Sequence, residues 1–195
     1  MNFLAHLFLS GSNKAIRFGN FIGDHVKGKQ YLDFPADIRF GIELHRFIDH
    51  YTDHHPLVMI SKKRLYPVFH KYAPVVVDVY YDHFLAKKWE QHSPISLEKY
   101  SLDFYQSVEE FDQWMPERTR YMFAYMSKQN WLYSYQSLEG IDQVFKGMAR
   151  RTPFESNMHM AAKSLEENYL KYEKEFETFF PEIISECKIK TDSFS

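Results

Sequence analysis

The chain has 195 residues, of which 45% are hydrophobic and 18% aromatic, and its formal net charge at pH 7 is only −2. This length and composition are typical of one soluble globular domain with a substantial core. The single cysteine, Cys187, excludes an intrachain disulfide and a cysteine-based zinc cluster. We expect no nucleic acid among its partners.

The amino-terminal segment, residues 1–9, is a short apolar run that His6 interrupts. It lacks the basic start and the small-residue cleavage site of a secretory signal, and no later stretch approaches the length of a membrane span. We therefore predict a cytoplasmic protein that does not bind membranes. The sequence leaves its oligomeric state open.

Eight helices are predicted after this segment from the positions of capping residues, prolines, glycines and apolar periodicity. In chain order they cover residues 12–28, 33–55, 57–72, 74–89, 96–116, 117–128, 138–150 and 153–180. Pro67 is expected to break the third helix and Pro181 to end the last. The fourth helix is apolar on nearly all sides, so we place it at the centre of the fold.

The chain is predicted to be all-α, because it has only seven glycines and no long alternation of polar and apolar residues. No internal repeat or linker divides it. We predict a single-domain helical bundle over residues 1–188, followed by a polar, frayed tail over residues 189–195.

Two pairs of potential metal ligands are the most informative feature of the sequence. His45 and Asp49 lie four residues apart in the second predicted helix, and Asp78 and Asp82 lie four apart in the fourth. At about 100° per residue, each pair falls on one helix face, inside the apolar stripe. Because buried carboxylates are costly unless paired or metal-bound, we predict a functional cluster between the two helices. Buried ion pairs of a structural core are the alternative.

Asp24 and two histidines are further candidates. Asp24 follows Gly19 and Gly23, a spacing that indicates close approach of another backbone. For His6, on its apolar segment, a hydrogen-bonded core histidine is the alternative, and His83 lies on a different side of its helix from the carboxylates. A cluster of histidines and carboxylates without cysteine favours Mn²⁺, Mg²⁺ or Fe²⁺ over structural zinc, and suits hydrolysis of a phosphate ester.

A series of motifs runs in order along about 180 residues of the chain. They are Met1–His6, Gly19-Asn20 with Asp24 and Gly28, Phe34-Pro35, Gly41-Ile42, His45-Arg46, Ile48-Asp49, Thr52-Asp53, Asp78, Asp82–Leu85, Gly147–Ala149 and Arg151. In this series the chain resembles the acyl carrier protein phosphodiesterases. The resemblance implies a fold related to the HD-domain metal phosphohydrolases and dependence on Mn²⁺, with Mg²⁺ or Fe²⁺ as alternatives. The adjacent His-Asp dyad usual in HD proteins is absent, and the reversed pair Asp82-His83 is present instead.

The resemblance implies hydrolysis of the phosphodiester that joins 4′-phosphopantetheine to a serine of holo-acyl carrier protein, which yields apo-acyl carrier protein. The residues expected to bind or support the metal are Asp24, His45, Asp49, Asp78 and Asp82. Asp24 is also a catalytic candidate, and His6 or His83 would protonate the serine leaving group. The alternatives are a metal phosphohydrolase acting on a small nucleotide or phosphoester, and a non-catalytic helical binding module.

Charge is unevenly distributed along the chain. Residues 1–100 hold 13 Lys and Arg against 10 Asp and Glu, whereas residues 101–195 hold 11 against 16. Without its site acids the first half is basic and suits an acidic partner, as carrier proteins of this type are. The residues predicted to dock the carrier protein are Arg17, Lys27, Lys29, Lys62, Lys63 and Arg64.

Overall fold

Eleven α-helices form within residues 1–194, the part of the chain that the computed structural model describes. They are α1 (Phe3–Leu9), α2 (Lys14–Ile22), α3 (Ala36–His54), α4 (Pro56–Phe69), α5 (Ala73–Lys87), α6 (Leu97–Val108), α7 (Glu117–Lys128), α8 (Trp131–Ser134), α9 (Leu138–Arg151), α10 (Ala161–Glu167) and α11 (Tyr169–Asp192). No β-strand occurs in this part of the chain, so the predicted all-α, single-domain fold is confirmed. None of these helices is both long and apolar enough to cross a membrane.

Capping residues begin several helices where the sequence predicts them. The side chain of Asn13 accepts hydrogen bonds from backbone N–H groups in the first turn of α2, and Ser96 and Ser137 do the same for α6 and α9. Pro56 and Pro74 occupy the first turns of α4 and α5. A first turn tolerates proline because its N–H groups have no partner within the helix.

Two prolines that were predicted to interrupt helices lie inside them instead. α4 continues through Pro67 to Phe69, and α11 continues through Pro181 to Asp192. Each proline removes one backbone hydrogen bond, but apolar side chains on both sides of it remain buried and stabilise the helix. The prediction of one helix over 153–180 is also wrong, because two helices, α10 and α11, share that region.

The carboxyl-terminal residues are packed against the bundle. The ring of Phe194 stacks on Phe40 of α3, with ring centroids 4.1 Å apart. Of the tail predicted over 189–195, the residues up to Asp192 belong to α11, and Ser195 lies outside the described residues. The last helix thus extends into the segment predicted as a tail, and a ring contact connects Phe194 to a distant helix.

Helix α5 lies at the centre of the fold, as its apolar sequence predicts. Nearly all of its residues between Val76 and Ala86 are buried. Tyr80 meets the rings of Phe145 on α9 and Tyr172 on α11, at centroid distances of 5.8 and 5.0 Å. Aromatic pairs of this kind bury a large area and prefer such tilted and edge-on contacts.

Helices α2 and α3 approach so closely that their contact requires glycine. A Cβ atom on Gly19 would overlap the backbone of α3, and one on Gly41 would overlap the backbone of α2. Gly23 makes room in the same way for the ring of His45. The close backbone approach predicted from the glycine spacing is confirmed, and it brings the end of α2 against a candidate site residue.

Candidate metal centre

Helices α1 and α3 bring two histidines and one aspartate into contact. His6 and His45 stack ring on ring, with centroids 4.2 Å apart and planes inclined by 22°. The carboxylate of Asp49 bridges them: one oxygen lies 3.1 Å from Nε2 of His6, and the other lies 3.1 Å from Nε2 of His45. Both rings are buried, whereas Asp49 is partly open to solvent. We call these three residues the His–Asp cluster.

Asn20 of α2 fixes the orientation of both rings. Its side-chain nitrogen donates to the backbone oxygen of His6 at 3.0 Å and to the hydroxyl of Ser10 at 2.8 Å, so its side-chain oxygen faces the rings. That oxygen lies 2.7 Å from Nδ1 of His6, and the backbone oxygen of Asn20 lies 2.9 Å from Nδ1 of His45. Because each Nδ1 faces an oxygen acceptor, each carries the proton and donates it. The lone pair of a neutral ring is therefore on Nε2.

The two Nε2 atoms are surrounded by oxygen acceptors. Nε2 of His6 lies 3.1 Å from the backbone oxygen of Met1 in addition to Asp49. Nε2 of His45 lies 3.4 Å from Asp24 in addition to Asp49, and it makes no aligned hydrogen bond with either carboxylate. Lone pairs that face oxygens need a positive charge between them, which is either a proton on the ring or a metal ion.

The surrounding charges favour ionisation of one of the two histidine rings rather than both. Burial lowers the pKa of His45, but Asp24 and Asp49 outweigh burial and raise that pKa to about 9. Burial lowers the pKa of His6, and the adjacent ring of His45 lowers it further. Burial opposes ionisation of Asp49, but the two histidines hold the pKa of its carboxyl group well below the usual range. Without a bound ion, the cluster would therefore hold an ionised carboxylate and a single charged ring at neutral pH, and an ion that binds Nε2 of His45 would replace the proton on that nitrogen.

The donor set fits a divalent metal ion. One ligand atom from each of His6, His45 and Asp49 lies within 4.8 Å of the others. Asp24 adds a carboxylate oxygen beside His45 and is exposed, and contact with His45 lowers the pKa of its carboxyl group. Imidazole with carboxylate suits Mn²⁺ or Fe²⁺, and hydrogen-bonded Nδ1 atoms are the usual support of metal-binding histidines.

Asp78 lies beside the cluster and contacts the amino group of Met1. The amino nitrogen is 3.0 Å from Asp78 and 4.0 Å from Asp49. Burial alone would lower the pKa of this amino group, but the two carboxylates raise it above its usual value. Asp78 is thus paired with an internal cation and is linked to the cluster through Met1.

Asp82 supports the site by holding helix α1. One of its oxygens accepts a hydrogen bond from the backbone N–H of Leu4 at 2.7 Å, and the other accepts from that of Ala5 at 3.1 Å. Burial raises the pKa of the Asp82 carboxyl group to about 7, against the opposing effect of these two bonds. Since both oxygens contact the first turn of α1, Asp82 positions the helix that carries His6.

His83 contacts other helices. Its Nδ1 lies 2.7 Å from the backbone oxygen of Tyr135, and its Nε2 lies 2.9 Å from the hydroxyl of Tyr169. The ring is buried, and burial lowers the pKa of His83. These contacts connect α5 to the end of α8 and to α11, and they do not bring His83 to the His–Asp cluster.

Two of the predicted docking residues on α4 are engaged within the protein. Lys62 is buried and donates to Asp53 at 2.6 Å. Arg64 forms a two-point contact with Glu175, at 3.0 and 2.6 Å. Lys63, between them, is exposed. Of this group, Lys63 is therefore the side chain that is open to a partner.

The other predicted docking residues lie on α2 and in the segment between α2 and α3. The side-chain nitrogen of Lys27 donates to the backbone oxygen of Asp24, and Lys29 is exposed. Arg17 donates to the backbone oxygen of Gly11, and its guanidinium group lies 5.0 Å from the centroid of an aromatic ring. Lys27 thus adds positive charge at the edge of the candidate metal centre.

The contacts of Asn20 with the two histidines were not predicted from the sequence. The residue belongs to a motif of the resemblance, and it lies between buried apolar residues of α2. A buried asparagine needs several hydrogen-bond partners, so its place among apolar residues indicates polar groups nearby. Its contacts with His6 and His45 join three helices, so the sequence alone does not show them.

The comparisons with known proteins identify the family to which the chain belongs. The family described as acyl carrier protein phosphodiesterase matches residues 1–183. A protein of that name from Photorhabdus laumondii is 33% identical over 191 residues, which cover 97% of this chain and 96% of the relative. Proteins of the same name from Klebsiella pneumoniae and Escherichia coli O6:H1 are 33% and 31% identical and cover 94% and 97% of this chain, and 96% and 99% of their own lengths.

No solved structure matches the chain, so the HD-domain-like arrangement stays a prediction. The family match spans most of the chain and includes every residue of the His–Asp cluster. The chain therefore belongs to the acyl carrier protein phosphodiesterase family.

Proposed function

We propose that this protein is a metal-dependent phosphodiesterase that removes 4′-phosphopantetheine from the serine of holo-acyl carrier protein. The family supplies the substrate class, because its members are named for this protein substrate. The observation that carries the metal dependence is the convergence of two Nε2 atoms on one carboxylate. We propose Mn²⁺ as the ion, with Fe²⁺ or Mg²⁺ as alternatives.

The residues of the cluster and Asn20 would have different functions in metal binding. His6, His45 and Asp49 would hold the ion, and Asn20 keeps both rings in the tautomer that offers Nε2. A divalent ion bound there supplies Lewis acidity toward a phosphoryl oxygen and lowers the pKa of water. His6 is neutral at neutral pH, since burial lowers its pKa, and this suits a ligand better than a proton donor.

Asp24 is placed for a different task. Its side chain is 66% exposed at the edge of the cluster, and contact with His45 keeps the pKa of its carboxyl group low. The carboxylate stays ionised at neutral pH, so it can accept a hydrogen bond from the attacking water and orient it. Asp24 is therefore the catalytic group proposed to position this water.

The direct test is conversion of holo-acyl carrier protein to the apo form, followed by mass spectrometry of the intact carrier protein in the presence of Mn²⁺. We expect His45→Ala and Asp49→Asn to lower kcat/KM by at least about 100-fold, since each removes a metal ligand. The matched control is Asp53→Asn, one turn further along α3, where the carboxylate pairs with Lys62. A panel of nucleotides tests the alternative substrate class.

Two outcomes would contradict the proposal. Wild-type protein that binds Mn²⁺ but leaves holo-acyl carrier protein intact would exclude the substrate. Full activity of the wild-type protein after chelation of metal ions would exclude the metal dependence.

A further inference from the structure

A groove opens beside the candidate metal centre, between α7, α8 and α9. Its volume is about 930 Å³, which is typical of sites that bind small molecules. Asp24 lines this groove and also lies 3.4 Å from Nε2 of His45. The groove and the His–Asp cluster thus share a residue. A substrate whose reacting bond lies at the cluster extends from there into the groove.

The walls of the groove are largely aromatic and apolar. They include Phe3, Tyr121, Tyr125, Trp131, Val144 and Met148. Tyr121 and Tyr125 are 70% and 46% exposed, and exposed apolar surface of this kind usually marks a binding site. The side-chain amides of Gln129 and Gln143 also line the groove and can bind polar groups of a ligand.

Three arginines, Arg118, Arg150 and Arg151, give the groove a positive charge. Within residues 1–194 the arginines that pair with carboxylates are others, Arg64 and Arg120. Against the three guanidinium groups, the groove contains a single carboxylate, that of Asp24. Arginine that pairs with no carboxylate of the protein suits a phosphate group, which it binds through two parallel hydrogen bonds.

Arg151 is held in place at the groove wall. Its Nε donates to the backbone oxygen of Gly147 at 3.1 Å, and its guanidinium group lies 5.7 Å from the ring centroid of Trp131. A guanidinium group held in this way loses less freedom when it binds an anion.

We propose that this groove binds the 4′-phosphopantetheine arm of the substrate, an inference that rests on the proposed function. The arm carries a phosphate at one end, then a dimethyl-substituted carbon, and then two amides. The arginines match the phosphate, the aromatic wall matches the apolar segment, and the glutamines match the amides. A folded carrier protein is too large for a groove of about 930 Å³, so it stays outside while its arm enters.

Gly147 offers a way to fill the groove. A Cβ atom at this position meets no atom within 4 Å, so a larger side chain enters open space. Phenylalanine in place of glycine does not weaken a helix. We expect Gly147→Phe to weaken the binding of free 4′-phosphopantetheine at least about tenfold in calorimetry, and to lower kcat/KM for holo-acyl carrier protein to a similar extent.

The arginines supply a second, independent variant. Arg118→Ala is expected to weaken 4′-phosphopantetheine about tenfold, as the loss of a charged phosphate contact does. The matched control is Arg120→Ala, two residues along α7, whose side chain binds Asp112 outside the groove and should leave the affinity unchanged. Melting temperature and Mn²⁺ affinity show whether each variant is folded. If Gly147→Phe does not fold, Arg118→Ala alone tests whether the groove binds 4′-phosphopantetheine.

Normal binding of 4′-phosphopantetheine by the folded variants would overturn the proposal. Weaker binding of holo-acyl carrier protein together with unchanged binding of 4′-phosphopantetheine would also overturn it, because the arginines would then contact the carrier protein itself. A wild-type protein that does not hydrolyse holo-acyl carrier protein would refute the proposed function. In that case direct binding of 4′-phosphopantetheine still decides the assignment of the groove.

Discussion

At the scale of single residues, Asn20 connects three helices around the two histidines. Its side-chain nitrogen donates to the backbone oxygen of His6 in α1. Its side-chain oxygen accepts from Nδ1 of His6, and its backbone oxygen accepts from Nδ1 of His45. Without these acceptors neither ring has a fixed tautomer, and either nitrogen can carry the proton. The geometry of the candidate metal centre therefore depends on a residue that is not itself a ligand.

Asn20→Leu removes the acceptor of Nδ1 of His6 but keeps the backbone oxygen that accepts from Nδ1 of His45. We expect it to lower Mn²⁺ affinity by about 10- to 100-fold, which is the usual effect of losing the support of a metal-binding histidine. Calorimetric titration with Mn²⁺ measures it. Asn13→Ala is the matched control on the same helix: it removes the cap of α2 and costs about 1 kcal/mol of stability, but leaves the affinity for Mn²⁺ unchanged. Equal Mn²⁺ affinity in folded Asn20→Leu and wild-type protein would show that Asn20 has no such role.

The sequence predicts part of this site. The four-residue spacing places His45 and Asp49 on one helix face, and the structure has both there, with His45 buried and Asp49 partly open to solvent. His6 had two interpretations, and contact with α3 favours the one that includes it in the site. The partnership of His6 with Asn20 and His45 could not be predicted, because it depends on how separate helices approach each other.

At the scale of helices, α1 depends on a carboxylate from the centre of the fold. The first turn of α1 has no capping side chain of its own, and Asp82 of α5 binds its N–H groups instead. The cap joins α1 and α5 and holds His6 in register with the rest of the cluster.

This carboxyl group should make stability depend on pH. Its pKa is raised from 3.8 to about 7, so the folded protein keeps a proton that the unfolded chain has released. The free energy of unfolding therefore falls as the pH rises from about 4 to about 7, by on the order of 3 kcal/mol from this group. Asp82→Asn lacks this ionisation. The advantage of wild-type protein over Asp82→Asn should therefore shrink across the same range.

Urea unfolding in the presence of a chelator measures the effect at each pH. Asp103→Asn, which changes an exposed carboxylate on α6, controls for the general effect of pH. A constant difference between wild-type protein and Asp82→Asn from pH 4 to 8 would mean that Asp82 is ionised throughout.

The contact of α2 with α3 leads to a prediction about packing. We expect Gly19→Ala to lower the free energy of unfolding by about 1–3 kcal/mol, because the new methyl group meets the backbone of α3, which cannot move aside as a side chain can. Gly147→Ala is the matched control: its methyl group meets open space, and alanine favours the helix by up to about 1 kcal/mol. Urea unfolding distinguishes them, and equal stability of the two variants would contradict the packing argument.

At the scale of the whole molecule, local signals predicted the start of most helices and the burial of α5. Caps, prolines and apolar periodicity act within a few residues, so the sequence displays them directly. The course of α11 through Pro181 was not predictable in this way. It depends on the burial of α11 side chains against other helices. It also depends on the contact of Phe194 with Phe40, two residues that are far apart in the chain.

The charge distribution leads to a prediction about the carrier protein. We expect KM for holo-acyl carrier protein to rise steeply with salt, because exposed charges act mainly on association and are screened within about 8 Å at physiological ionic strength. Lys63→Glu should raise KM with little change in kcat. Lys163→Glu, a charge reversal of an exposed residue of α10, is the control. A KM that is independent of salt would exclude electrostatic docking, while leaving the hydrolytic chemistry untouched.

Because Asn20 forms hydrogen bonds with both rings, it also determines whether the ligands become ordered during folding or on binding of an ion. Its hydrogen bonds order both side chains when the chain folds, so the conformational entropy of the ligands is lost at that step and not when an ion arrives. In small zinc domains, by contrast, the metal itself drives folding. An ion bound at this preformed cluster would act as an ordinary ligand of a folded protein, and its contribution to stability would grow only with the logarithm of its free concentration.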